Sequence, residues 1–426
     1  MRKKIILTSY ARLFLLSLLV GLTSGLLAQA LELLTGFVQE FFLRKASAEK
    51  ILFFVLPLAG LSVIYLSRKY LFRGKKNKGI TEIFNTLRYR KDHLPGFKVP
   101  SHFSNGFFTV AFGGSTGIEV STVVATAAIG NFFFRKGSIA NAHKEELICA
   151  GVAAGIGTLF ANPFAGFLFA LEVISRKRSF SVFFSCMVAI LASWGLLSLF
   201  GHAPVFDLQI IKWNYSALPY MVGLSLLGGL VAVYFTRTVI YFKKLSKRLN
   251  NDLLKLIFGA LLIGIGLFFF PQLYGDSYHA VHELLYNSEN LSVMPLSGLL
   301  VLLVLLKPLA ASITLAAGGD GGVFAPSIVS GAFLGILVAL GCNYFFNTEL
   351  IVVNFAIIGA AAVLSAAIHA PLTALFLACG IVNNGFVLFV PLAIGVFTAK
   401  FLAKSLCDYT VYTYQRKKKQ TSLSGT

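Results

Sequence analysis

The chain has 426 residues, of which 57% are hydrophobic and only 13% are charged, and its formal net charge is +20. A soluble domain carries about 25% charged residues, so this composition excludes an ordinary soluble protein and indicates an integral membrane protein.

The positive charge is gathered into short clusters that flank apolar segments, at 2–4, 68–78, 88–91, 176–178, 243–248 and 416–419. Cytoplasmic loops of membrane proteins carry such an excess of Lys and Arg. The segment 275–289 holds acidic residues and no Lys or Arg, which places it outside. We therefore expect a plasma (inner) membrane protein with both termini cytoplasmic, in contact with lipid and with no nucleic-acid partner.

Long apolar runs follow one another along the chain, at 13–30, 51–66, 254–270 and 296–306. Runs of this kind indicate transmembrane helices. Other apolar stretches are too short to span a bilayer or are broken by Gly and Pro. That pattern predicts a bundle of tilted and discontinuous helices.

Two glycine-bearing segments each open an apolar helix, one in each half of the chain. They are Gly117-Ile118-Glu119 and Gly322-Val323-Phe324-Ala325-Pro326. A helix that begins inside a membrane presents unpaired backbone N–H groups and the positive end of its dipole. Two such starts that face one point would bind an anion without a buried cation.

Glu119 adds an ionisable group at a depth where charge is costly, and such acids mark functional sites. Taken alone, Glu119 is better explained as a capping carboxylate in the first turn of a helix. Its place in the paired motifs favours a functional role.

The chain also repeats itself at a constant offset. Gly151 and Gly359 are 359 − 151 = 208 residues apart, and Pro163 and Pro371 are 371 − 163 = 208 apart. A repeat of about half the chain is typical of transporters whose site lies between two halves. We predict a cytoplasmic N-terminus at 1–10, a first half at 11–215, a second half at 216–415 and a cytoplasmic tail at 416–426, with the seam near 214–220.

These motifs together resemble the CLC family of chloride channels and chloride/proton exchangers over nearly the whole chain. The matching elements are Gly117–Glu119 for the GxEGP segment, Gly322–Pro326 for GxFxP, 151–172 for the small-residue helix pair, and Tyr412 for a pore tyrosine. The resemblance implies an all-α polytopic fold with an inverted repeat of roughly eighteen tilted and broken helices. It also implies a homodimer with one pore per subunit, in a short form without nucleotide-binding domains.

The resemblance assigns roles to individual residues. Backbone N–H groups near Gly117 and Ile118, and near Val323 and Phe324, would replace the hydration shell of the anion. The Tyr412 hydroxyl would donate a further hydrogen bond, although Tyr409 and Tyr414 lie close by in the sequence. Glu119 would be a tethered gate that competes with the anion and swings away when protonated.

Two departures from the family pattern affect the predicted function. Exchangers usually carry a second, proton-relaying glutamate, and Val173 stands at that position with Glu172 before it as a structural acid. Valine carries no proton, so we predict channel-like or weakly proton-coupled conduction, with a stoichiometric chloride/proton antiporter as the alternative. In addition, Val120-Ser121 replaces the Gly-Pro that follows the gating glutamate.

A third departure is Lys78, which replaces a serine that contacts the central anion in the family. Lys78 could reach the pore and bind anions, or it could belong to the basic run before it and extend into water. Both interpretations stay open at this stage.

The predicted function is therefore transport of chloride and similar small anions, with protons as the second partner. We expect no enzymatic activity, cofactor or metal, because the histidines and cysteines show no ligand spacing. A membrane-embedded enzyme that uses Glu119 or Glu172 as acid or base is the remote alternative.

Overall fold

The computed structural model describes residues 2–75, 77–89, 92–137, 143–177, 179–201, 204–286, 293–415 and 417. Within these ranges the chain folds into sixteen α-helices and forms no strand, apart from a single bridge between Gln209 and Asn383. Among the described residues, eight helical segments are long and apolar enough to cross a membrane. The prediction of an all-α polytopic membrane protein is confirmed. The predicted tail at 416–426 lies outside the described residues apart from residue 417.

The first half of the chain contributes eight helices, which run in chain order to residue 200. They are α1 (Arg2–Ala48), α2 (Leu52–Leu66), α3 (Ile80–Arg88), α4 (Lys98–Ala111), α5 (Glu119–Lys136), α6 (Lys144–Leu159), α7 (Pro163–Phe169) and α8 (Phe180–Phe200). A π-helical turn extends α2 at Ser67–Leu71, and another extends α7 at Ala170–Ile174.

The second half contributes eight more, and α9 begins within the predicted seam. They are α9 (Leu218–Arg248), α10 (Asp252–Phe269), α11 (Tyr278–Tyr286), α12 (Val293–Ala317), α13 (Phe324–Phe346), α14 (Val352–Ile368), α15 (Pro371–Gly380) and α16 (Phe389–Leu406). The count among the described residues is somewhat below the eighteen expected. The longest of these helices, α1, contains no proline and continues unbroken over 47 residues.

The helices of the two halves follow the same order and spacing. The starts of α6 and α14 are 352 − 144 = 208 residues apart, and those of α7 and α15 are 371 − 163 = 208 apart. Both α7 and α15 are short helices that begin at a proline, where the missing N–H costs nothing. The repeat seen in the sequence is thus a repeat of helix pairs.

The helices α5 and α13 lie at the centre of the molecule, and both are buried for most of their length. Close packing of α13 against α14 is possible because glycines face each other. A Cβ on Gly331 would strike the carbonyl of Gly359, and one on Gly335 would strike the carbonyl of Phe355. Small residues at such contacts let backbones approach closely in lipid. This packing holds α13 closely against α14.

Candidate anion pathway

The two glycine motifs meet in space, although 205 residues separate the first residues of α5 and α13. A Cβ on Gly117 would lie 2.6 Å from Cβ of Ala325, and one on Gly322 would overlap the side chain of Val120. Only glycine therefore fits at either position. Neither helix start has a side-chain cap, because Ile118 and Val323 stand at the N-cap positions. The two helices direct unpaired N–H groups toward a shared region.

The Glu119 carboxylate occupies that region. The residue is buried, with 2% of its surface exposed, and its carboxylate folds back over Gly117. It faces the backbone N–H of Ala325 in the first turn of α13. One carboxylate oxygen, Oε1, accepts a hydrogen bond of 3.0 Å from the Tyr278 hydroxyl. The negative group is thus held between the two helix starts, where their dipoles favour it.

Tyr412 reaches the same region from the C-terminal segment. Its hydroxyl lies 3.3 Å from the position that a Cβ on Gly322 would take, and it lies beside the backbone N–H of Val323. The residue is buried, and its hydroxyl has no hydrogen-bond partner within the described part of the chain. Tyr409 and Tyr414 instead pack against each other, with ring centroids 5.2 Å apart. Of these three tyrosines, Tyr412 is the one placed to donate to a bound anion.

The side chain of Phe324 has a packing role that is separate from its backbone. The ring is fully buried and lies against Phe160 and Phe169, with centroids 6.2 and 5.4 Å away. The ring therefore anchors the first turn of α13. The anion-directed group of Phe324 is its backbone N–H.

Val120 follows Glu119 and occupies the space between Gly322 and Gly79. Its side chain contacts Gly322 on one side and lies 3.6 Å from the Cβ position of Gly79 on the other. The residue is 2% exposed. An apolar side chain therefore stands next to the Tyr412 hydroxyl, where the family pattern has glycine.

Lys78 lies at the start of α3, and its side chain is exposed to a large cavity. Its backbone N–H donates to Oε1 of Glu82 at 2.6 Å, so that amide is not available to an anion. A Glu side chain that accepts a hydrogen bond from a backbone N–H at the start of its own helix resembles part of a capping box. The structure places the ammonium group in the cavity and does not bring it to Glu119.

Two cavities of opposite charge lie near the site, and the first of them reaches it. One of about 390 Å³ reaches Glu119 and is lined by the acids Glu32 and Asp276 together with Tyr278. The other cavity has a volume of about 1250 Å³, and most of the charged residues that line it are basic. These basic residues are Arg68, Lys69, Lys78, Lys243, Lys244, Lys247 and Lys255. We call them the acidic cavity and the basic cavity. Anions are attracted to the second and repelled by the first.

A third cavity of about 400 Å³ holds the position predicted for proton relay. Val173 and Glu172 both line it, and Tyr412 lies at its inner end. Glu172 is half-buried and accepts hydrogen bonds from the backbone N–H and the hydroxyl of Thr373, both 2.9 Å. It therefore caps the start of α15, in keeping with the structural role expected from the sequence.

Two residues of the site were not found by sequence reasoning. Tyr278 has no local signal, because its partner Glu119 is 159 residues away. Lys307 is a fully buried lysine within the apolar helix α12. A single charged residue in an apolar helix indicates a functional site, so the sequence does contain a signal for Lys307.

The helical fold and the opposed helix starts define a polytopic membrane protein of two similar halves, with an anion-directed site where the halves meet. Residues 59–404 match the family model described as voltage gated chloride channel. The chain belongs to this family, the CLC family of chloride channels and exchangers.

Several relatives align over almost the whole chain. The H(+)/Cl(-) exchange transporters ClcA of Salmonella arizonae and Citrobacter koseri are 25% and 26% identical over 423 residues, covering 94% of this chain and 87% of theirs. A putative chloride channel protein, ClcB-like, of Ralstonia nicotianae is 24% identical over 332 residues, 76% of each chain.

Solved structures share the fold at lower identity. A slow cyanobacterial Cl⁻/H⁺ antiporter superimposes with a TM-score of 0.83 at 21% identity, covering 96% of this chain and 98% of its own. A CLC-type fluoride/proton antiporter gives 0.79 at 23% identity, covering 95% and 97%.

Proposed function

We propose that this protein exchanges chloride for protons across the membrane. The observation that carries the proposal is the position of the Glu119 carboxylate, which lies between the starts of α5 and α13 as a bound anion would. The side chain and chloride then compete for the same N–H groups. Such competition links the protonation of Glu119 to the entry of the anion.

The exchange follows from the charge of that one side chain. Ionised Glu119 is attracted by the helix starts and excludes chloride from them. Protonation removes the charge, so the side chain moves toward the acidic cavity and a chloride ion takes its place. Chloride reaches the site through the basic cavity, past Val120 and the Tyr412 hydroxyl. Glu119 then releases its proton, and the return of the ionised carboxylate to the helix starts displaces the chloride.

Exchange is favoured here over the channel-like conduction predicted from Val173. Relatives that align with 94% of the chain bear the name of exchange transporters. Val173 shows only that the usual second glutamate is missing from the third cavity, and Glu172 beside it is engaged in capping α15. The proton then enters by a route that does not use residue 173. Uncoupled conduction is the competing function.

The proposal also covers membrane orientation and assembly. The basic cavity is lined from the clusters at 68–78 and 243–248, which the positive-inside rule places in the cytoplasm. We assign it to the cytoplasmic face of the plasma membrane, with both termini on that side and the acidic cavity outside. The proposed assembly is a homodimer with one pore in each subunit, and its mass in lipid nanodiscs tests this directly.

Purified protein in liposomes tests the proposed exchange. A chloride gradient is imposed, and chloride efflux and internal pH are recorded together, with protein-free liposomes as the control. Exchange predicts that chloride leaving down its gradient drives protons inward against theirs. Chloride efflux with no proton movement beyond that driven by the membrane potential would establish the channel-like alternative.

A further inference from the structure

The Tyr278 hydroxyl is the side-chain donor that contacts the Glu119 carboxylate, at 3.0 Å. We propose that Tyr278 is a positioning residue that latches ionised Glu119 in the closed position and so sets the pH at which the pathway opens. The proposal rests on the proposed function, because it assumes that Glu119 is the gate.

The hydrogen bond discriminates between the two charge states of Glu119. A hydroxyl that donates to a carboxylate makes a charge-assisted bond, which is about twice as strong as a bond between neutral groups. Protonation of Glu119 weakens this bond and at the same time weakens the attraction of the helix starts. The latch therefore adds to the energy that proton binding must supply before the side chain leaves.

Tyr278 is held firmly on the side away from Glu119. It is the first residue of α11, and its backbone N–H donates to Oδ1 of Asp276 at 3.1 Å. The same oxygen accepts a hydrogen bond from Gln39 of α1, at 3.0 Å. The ring of Tyr278 packs edge-on against Phe206, with centroids 5.8 Å apart. A hydroxyl on a fixed ring can select one position of the gate.

Lys307 ties this segment to the loop that precedes Glu119. Its buried ammonium group donates to the Gly275 carbonyl and to the Ser277 hydroxyl, both 2.8 Å. It also donates to the hydroxyl of Ser115, 2.8 Å away and two residues before Gly117. One cation therefore fixes the separation between the segment that carries Tyr278 and the segment that carries Glu119.

Other charged and titratable groups surround the gate. Asp276 opposes a negative charge on Glu119, whereas Lys307 of α12 favours it, and Glu32 lines the same acidic cavity. Tyr412 approaches Glu119 from the opposite side. These groups act on Glu119 by long-range electrostatic interaction. The hydrogen bond from Tyr278, in contrast, is lost as soon as the Glu119 side chain moves. Removing it should therefore shift the opening pH without abolishing transport.

The test is the pH dependence of chloride flux in liposomes for Tyr278→Phe. Loss of a hydrogen bond to a charged group corresponds to a shift of about one pH unit, and the direction is toward alkaline pH because the closed, ionised state is weakened. Phe206→Leu removes the ring that packs against Tyr278, and it should shift the opening pH by a smaller amount in the same direction. It provides a second measurement if Tyr278→Phe does not fold.

Two controls separate a latch from a general structural effect. Tyr274→Phe removes a buried hydroxyl four residues away, which donates to the Ala111 carbonyl at 2.9 Å, and it should leave the opening pH unchanged. In a Glu119→Gln background, Tyr278→Phe should have no further effect on flux, because the gate no longer ionises.

An unchanged opening pH in Tyr278→Phe and Phe206→Leu would overturn the latch. So would a shift of equal size in Tyr274→Phe, or an added effect in the Glu119→Gln background. If the Glu119→Gln single variant behaves as wild type, that result contradicts the proposed gating role of Glu119 and not the role of Tyr278 specifically.

Discussion

Glu119 is surrounded by features that favour a negative charge on one side and oppose it on the other. The starts of α5 and α13 and the Tyr278 hydroxyl favour the ionised form, while burial and Asp276 oppose it. A gate needs this balance, because a carboxylate that is always charged or never charged cannot respond to protons.

Glu119→Gln should uncouple transport. A neutral side chain of the same size resembles protonated Glu119, so chloride flux becomes independent of pH and proton movement falls to background. In wild type, chloride flux should rise as the pH falls. The measurement is dual flux in liposomes from pH 4.5 to 8, a range on the order of the interval over which buried carboxyls titrate. A pH-dependent Glu119→Gln protein would show that another group is the gate.

Val120→Gly should increase chloride turnover several-fold. The valine side chain fills the space between Gly322 and Gly79 beside the gate, and glycine would open it. The cost is about 1 kcal/mol of helix stability in the first turn of α5. Val123→Ala is the matched control, because it removes buried volume one turn later, away from the two glycines. Equal turnover in all three proteins would show that Val120 does not restrict the pathway.

The sequence motifs contain residues whose proposed role depends on the local backbone, and they do not reveal residues whose proposed role depends on distant partners. Gly117, Glu119, Gly322 and Phe324 belong to contiguous motifs, and the structure brings these motifs together. Tyr278 acquires its role from a contact across 159 residues, which no local pattern encodes.

At the scale of helices, the site depends on glycine-mediated contacts that hold α13 against its neighbours. The offset of 208 residues predicted the paired helices α6–α7 and α14–α15, because proline starts and small-residue helices leave a local pattern. The unbroken length of α1 could not be predicted in the same way. Its glycines, unlike prolines, keep their backbone N–H groups and do not force a break in the helix.

Gly331→Leu should destabilise the protein by about 1–3 kcal/mol or prevent its folding, because the side chain would be forced into the backbone of α14 at Gly359. Gly341→Leu on the same helix is the matched control, since a Cβ there meets nothing within 4 Å. The measurement is the thermal midpoint of monodisperse protein in detergent. Similar midpoints for the two variants would contradict the assigned α13–α14 packing.

At the scale of the molecule, charge is divided between two cavities, of which the acidic one reaches Glu119. Acids line the cavity beside Tyr278, and lysines with Arg68 line the larger one. Lys78 contributes to this field from the start of α3. Its side chain is exposed to that cavity, and whether it contributes to anion binding stays a prediction.

Lys78→Ser and Lys244→Gln should each lower chloride flux about two-fold at low salt and leave anion selectivity unchanged. A unit charge about 10 Å from an anion in water is worth about 0.4 kcal/mol, which is about two-fold in local concentration. The effect should fade when ionic strength is raised well above 0.1 M, where the screening length is about 10 Å. Lys50→Gln, which is exposed but does not line the basic cavity, is the control. An altered selectivity in Lys78→Ser would instead place this lysine at the bound anion.

The most direct test is anomalous diffraction from crystals of wild type and Glu119→Gln soaked in bromide. We expect bromide beside the backbone N–H groups of Val323 and Phe324 and the Tyr412 hydroxyl. In Glu119→Gln a further peak should appear where the carboxylate lay over Gly117. Absence of bromide from both positions in both proteins would contradict an anion site built from the starts of α5 and α13.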